Sequence, residues 1–89
     1  MPRISFTRNL RQHVNCDDAE VAGSTVGEAL EQVLIERPRL RGYIVDEQGA
    51  LRTHMVIFVD GEPIGDRDKL SDAVTADSEI FVMQALSGG

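Results

Sequence analysis

Two stretches of this chain, M-V-I-F-V (55–59) and I-F-V-M (80–83), are apolar at every position. A strand covered on one face only alternates apolar with polar residues, so strands without a polar position call for cover on both faces. Against them the sequence sets one segment of clear helical periodicity. In S-T-V-G-E (24–28), Thr25 is placed to cap the free amides of a helix start, and Glu28, three residues on, to reach back to it as a capping box. Val26, Ala29, Leu30, Val33 and Leu34 then recur at helical spacing as a buried stripe, and Pro38 ends the helix. One helix covers one face of a sheet. The other face of the two apolar strands is left over.

Period two sorts the side chains. If Ile57, Val59, Ile80 and Val82 point at the helix, then Val56, Phe58, Phe81 and Met83 point away from it. An exposed patch with aromatic and methionine side chains marks a partner surface. Two other covers are open at this point: the long 38–54 segment folding over the patch, or a second copy of the chain.

The remaining elements are shorter. Ile4, Phe6 and Leu10 alternate with polar residues as a first strand, N-C-D-D (15–18) has turn chemistry, and Glu20-Val21-Ala22 returns as a short second strand. Tyr43–Val45 reads as a short strand or an extended loop, D-E-Q-G (46–49) as a turn, and Asp60-Gly61 as a tight turn behind the middle strand. Leu70, Ala73 and Val74 belong to a polar connection with a short helical turn, and the last strand spans 79–86. This order predicts an α+β fold: a mixed sheet of four to five strands with one main helix across one face, and the first and last strands side by side at its centre. The expected division is a single domain over residues 1–86 and a flexible tail, Ser87-Gly88-Gly89.

At 89 residues the chain has room for one modest core and no large internal pocket. Its formal net charge of −6 disfavours nucleic acid and anionic membranes as partners and suits basic protein surfaces. Cys16 is the sole cysteine, so no internal disulfide forms; with no signal-peptide pattern, the expected location is cytoplasmic. His13 and His54 have no i,i+4 partner and Asp66, Asp68 and Asp72 lack calcium-loop spacing, so no metal site is expected. Cys16 has no base at a telling spacing and reads as an incidental thiol; Arg37, Arg39 and Arg41 form a small basic cluster that reads as solvated charges or, alternatively, as a seat for an acidic partner. G-D-R-D-K-L (65–70) does not fit a phosphate-binding glycine loop.

The tail is the chemical feature. Two glycines without Cβ atoms lie extended close to another protein's backbone and enter a narrow channel. The carboxylate of Gly89 is unhindered, but a carboxylate is a poor acyl donor until it is activated, for example by adenylyl transfer from ATP. The chain carries no machinery for that step, so a partner must supply it.

Taken together, T-V-G-E-A-L at the helix start, the 37–54 segment R-P-R-L-R-G-Y-I-V-D-E-Q-G-A-L-R-T-H, V-I-F-V-D-G-E-P-I across the turn and the closing L-S-G-G resemble the ubiquitin-like β-grasp sulfur carriers of the MoaD/ThiS type, nearest to the MoaD-like and cysteine-synthesis carriers. The resemblance covers nearly the whole chain; M-Q-A-L-S-G-G departs from it in lacking the proline that many relatives have before the tail. It implies a β-grasp fold and a carrier rather than an enzyme, with no bound cofactor. An E1-like adenylating enzyme would use ATP and magnesium to convert Gly89 to an acyl adenylate. A sulfur donor would turn it into a thiocarboxylate, and a sulfur-accepting synthase would take the sulfur. Gly89 is then the modified residue, Gly88 and Ser87 give access, and Val56, Phe58, Phe81, Met83 and Leu86 are the docking side chains. The alternative implied function is a protein modifier joined through Gly89 to target lysines. Lys69 is the only lysine beside eight arginines, which restricts self-linked chains.

Overall fold

The structure, a computed structural model, describes residues 1–6 and 19–84. In chain order the elements are β1 (Arg3–Phe6), β2 (Ala19–Glu20), α1 (Val26–Glu36), α2 (Pro38–Ile44), β3 (Met55–Val59), β4 (Glu62–Pro63) and β5 (Glu79–Gln84). The sheet order is β2-β1-β5-β3-β4. β1 and β5 are parallel neighbours at its centre, and the other pairs are antiparallel. The expected central pairing of first and last strands is therefore present. The short second strand begins one residue earlier than expected, at Ala19, and Val21 drops into the core with its amide on the Pro2 carbonyl. The turn expected over residues 15–18, together with Leu10, His13 and Cys16, lies outside the described residues, as do the last two residues of the expected final strand.

α1 buries the five residues that its periodicity singles out, Val26, Ala29, Leu30, Val33 and Leu34. Thr25 is its N-cap and accepts from the Glu28 amide at 3.1 Å. The reciprocal half of the box is shifted by one residue: the Glu28 carboxylate accepts from the amide and hydroxyl of Ser24, not from Thr25. The amides of Val26 and Gly27 donate to the carbonyls of Asp72 and Leu70, so the helix start is closed by the 70–74 backbone.

The 38–54 segment differs from expectation. Pro38 does end α1, but it also opens a second helix that takes in Tyr43 and Ile44, where a strand or extended loop was expected over Tyr43–Val45; only Val45 is extended, bridging Leu51. Pro38 occupies the first turn of α2, where its missing amide costs nothing and its fixed φ suits a helix. Leu40 and Ile44, four residues apart, are buried with Val45 and Leu51 in the same core as α1, Ile57 and Val82. The intervening turn is held by Asp46, whose carboxylate accepts the amides of Gln48 and Ala50. Arg52 Nε donates to the Gly42 carbonyl, and the Arg67 guanidinium donates to the carbonyls of Arg52 and Met55, tying the segment down. The buried side chains of the segment thus join the core on the helical side of the sheet.

The connection after β4 contains the expected short helical turn, closed by the Leu70 amide on the Asp66 carbonyl at 3.1 Å, and two carboxylates staple the loop around it. Asp66 accepts from the amides of Asp68, Lys69 and Ser71 and from the Ser71 hydroxyl. Asp72 accepts from the amides of Gly65 and Asp66. The Ser71 hydroxyl first, and then the Lys69 amide, pull the Asp66 carboxyl down from its usual 3.8 to about 2.

Candidate functional site

The core faces of β3 and β5 are Met55, Ile57, Ile80 and Val82, all essentially fully buried. Their neighbours in sequence point to the opposite side. The β3–β5 register places Val56 opposite Met83 and Phe58 opposite Phe81. These are the four docking side chains expected from period two, brought together as two cross-strand pairs. Side chains so paired have Cβ atoms about 5 Å apart and touch. Val56, Phe58 and Met83 are half-buried by one another and by their neighbours, while Phe81 stays 39% exposed.

The sheet extends this face to residues that periodicity alone did not reach. Ser5 on β1 pairs beside Phe81, and Pro63 on β4 pairs beside Phe58. A depression runs over Ser5, Phe58, Phe81 and Met83 and continues to Asp60, Gly61 and Glu79. Reading this from sequence requires the strand register, which period two does not supply. The polar end is built by the Asp60-Gly61 turn. Both residues have positive φ, 51° and 88°, the geometry of a tight hairpin turn whose twist matches its strands. Asp60 Oδ1 accepts the Glu79 amide at 3.0 Å, which joins this turn to the start of β5.

The other candidates do not assemble into chemistry. Among the described residues, no group of three or more His, Cys, Asp or Glu side chains is placed to hold a metal ion. Asp66 and Asp72 commit their oxygens to loop amides. Arg41 pairs with Glu31 across α1 and α2, drawing the Glu31 carboxyl down through that hydrogen bond, and Arg37 Nη1 is buried without a hydrogen-bond partner among the described residues. Leu86, Ser87, Gly88 and Gly89 lie outside the described residues. Among those residues, no helix is long and apolar enough to cross a membrane.

The family model of the ThiS family matches residues 4–89. The chain belongs to the ThiS family. A comparison with curated protein sequences finds no match. Among solved structures, a chain of the BexX/CysO complex of Amycolatopsis orientalis has a TM-score of 0.82 at 22% identity, covering 100% of both chains. SAMP1 from Haloferax volcanii gives 0.78 at 24%, over 99% of this chain and 98% of its own. CysO of Mycobacterium tuberculosis gives 0.79 at 18%, over 97% and 100%. The fold is thus the ubiquitin-like β-grasp that the sequence resemblance implied, with a five-stranded mixed sheet and two helices among the described residues.

Proposed function

We propose that this ThiS-family chain is a sulfur carrier, a substrate protein whose Gly89 is activated and loaded by other proteins. The observation that carries the reading is the direction of β5. It runs under the apolar face from Glu79 to Gln84 and leads the chain toward Gly89. Five further residues span at most about 18 Å, so a protein seated on Phe58, Phe81 and Met83 has the Gly89 carboxylate within reach of its own active site.

In the first step a Gly89 carboxylate oxygen attacks the α-phosphorus of ATP, with magnesium held by the partner, and pyrophosphate leaves. Hydrosulfide delivered by a sulfur donor then attacks the carbonyl carbon; the C–S bond forms, the C–O bond to AMP breaks, AMP leaves, and loss of the S–H proton gives the thiocarboxylate. A synthase accepts that sulfur. Every catalytic group belongs to the partners, and the carrier contributes a docking face and an unhindered acyl group.

The test is intact mass after incubation with an adenylating enzyme from the same organism, ATP, magnesium and a sulfur donor. The expected product is heavier by the exchange of one oxygen for sulfur, and a chain lacking Gly88-Gly89 is not converted. An unchanged mass in every arm overturns the reading. A second reading, a protein modifier joined to lysines, is favoured by the likeness to Haloferax volcanii SAMP1, a small archaeal modifier protein. It predicts higher-mass conjugates in place of the sulfur-loaded chain.

A further inference from the structure

The docking face is not uniform along β5. Its first row, across the sheet, is Glu20, Arg3 and Glu79, which are paired by register, with Asp60 in the turn beyond. Among the described residues this end sets three carboxylates against one guanidinium. The next row along, Phe81 and Phe58, is apolar, and the rows are about 7 Å apart. Glu79 and Asp60 line the same depression as the two phenylalanines. Among the described residues the Glu79 carboxylate has no hydrogen-bond or ion-pair partner.

From this juxtaposition we infer that the depression is a subsite for an arginine side chain of the partner protein, with the guanidinium held between Asp60 and Glu79 and its stem and plane laid over Phe81 and Phe58. The inference rests on the reading of this face as a docking surface and names the partner's chemistry there. Arginine fits better than lysine: its planar head forms paired hydrogen bonds to carboxylates and stacks on aromatic faces, and its length matches the row spacing. The charge also selects against other occupants. A second copy seated face to face brings Glu79 and Asp60 toward carboxylates of its own, and anionic lipid or nucleic acid meets the same repulsion. An arginine at this end fixes the direction of docking, so that the other end of β5 delivers the tail to the partner's active site.

Two experiments test it. The first uses benzamidinium, a planar aromatic cation, and its neutral analogue benzamide, titrated into the intact protein and followed by amide chemical shifts. Benzamidinium should move the amides of Phe58, Asp60, Glu79 and Phe81, and benzamide should move them far less. In Asp60→Asn/Glu79→Gln the two probes should become alike; Asn keeps the oxygen that accepts the Glu79 amide. Equal responses in the unaltered protein, or shifts confined to the helical side, overturn the inference. The second measures KM for this chain in pyrophosphate release by the adenylating enzyme. Glu79→Arg should raise KM about tenfold with kcat unchanged, a loss that added salt reproduces in the unaltered protein. An unaltered KM in Glu79→Arg overturns the arginine subsite and leaves the carrier reading intact. A positive benzamidinium result, with no adenylation of the unaltered chain, removes the carrier reading and supports the cation subsite.

Discussion

Gly27 donates its amide to the Leu70 carbonyl at 2.8 Å, and a Cβ added to Gly27 would stand 3.2 Å from that same oxygen. Leu70 has little freedom to retreat. It is buried, its φ is 55°, and its own amide is tied to the Asp66 carbonyl. The glycine in T-V-G-E is therefore a contact glycine, set where a loop backbone closes the helix start. Gly27→Val should cost about 1–3 kcal/mol through overpacking. Gly27→Ala should not return the gain of about 1 kcal/mol that replacing glycine usually brings in a helix. Thermal or urea unfolding measures both, and a valine variant as stable as the parent would show that the loop yields freely.

The acid dependence of stability should come in part from the loop that holds Leu70. Asp66 is pulled down to about 2, first by the Ser71 hydroxyl and then by the Lys69 amide, and Asp72 and Glu28 are lowered in the same direction by their backbone partners. A carboxyl whose folded pKa lies below its unfolded value stabilises the fold above the unfolded value. That contribution is lost as pH falls toward the folded one. For Asp66 the window runs from 3.8 down to about 2. Asp66→Asn should be less stable than the parent at neutral pH, and the gap should narrow across this window. Urea midpoints at a series of pH values measure it, and a gap that stays constant would locate the effect outside the charge.

β1, β3, β5, α1 and the pairing of first with last strand were legible because each rests on local periodicity or on compactness, whereas the two-residue β4 is too short to show any period. The second helix was not, because Pro38 carries two meanings. It stops the helix before it and starts the one after it, and only the burial of Leu40 and Ile44 selects the second meaning. Of the 64–74 loop only the short helical turn was legible. The loop's shape depends on a leucine at positive φ and on carboxylates that reach amides two to seven positions away in sequence, and no periodicity records either. That Val56, Phe58, Phe81 and Met83 share the outer face was legible from period two alone. Its extension to Ser5, Pro63, Asp60 and Glu79 needed a register between distant strands.

Leu30 and Phe81 should separate stability from docking. Leu30 is 1% exposed in the centre of the core, and Phe81 is 39% exposed on the opposite side of the sheet. Leu30→Ala should cost about 2–5 kcal/mol, with Val26→Ala and Leu34→Ala also clearly destabilising. Phe81→Ala gives up a cross-strand pair worth about 1 kcal/mol or less, so its unfolding should stay near that of the parent. In the adenylation assay Phe81→Ala should nevertheless raise KM by more than its stability loss explains. If Phe81→Ala were as destabilising as Leu30→Ala, the outer face would be core and not docking surface.

The last expectation concerns the turn that sets the polar end of that face. Gly61 has φ 88°, and a Cβ added there would meet open space, so any penalty is conformational and not steric crowding by neighbours. Gly61→Ala should cost about 1–2 kcal/mol, the usual penalty for forcing an L-residue into the left-handed region. Gly42 in α2 is the control, because it also has nothing within 4 Å of an added Cβ but lies in an ordinary helical conformation. Gly42→Ala should therefore be neutral or stabilising by up to about 1 kcal/mol. The two substitutions add the same methyl group to equally open sites, so opposite signs in their unfolding midpoints isolate backbone conformation as the cause. Equal effects would mean that the β3–β4 turn relaxes away from positive φ, and the amide shift of Glu79, whose N–H is held by Asp60, would report that relaxation directly.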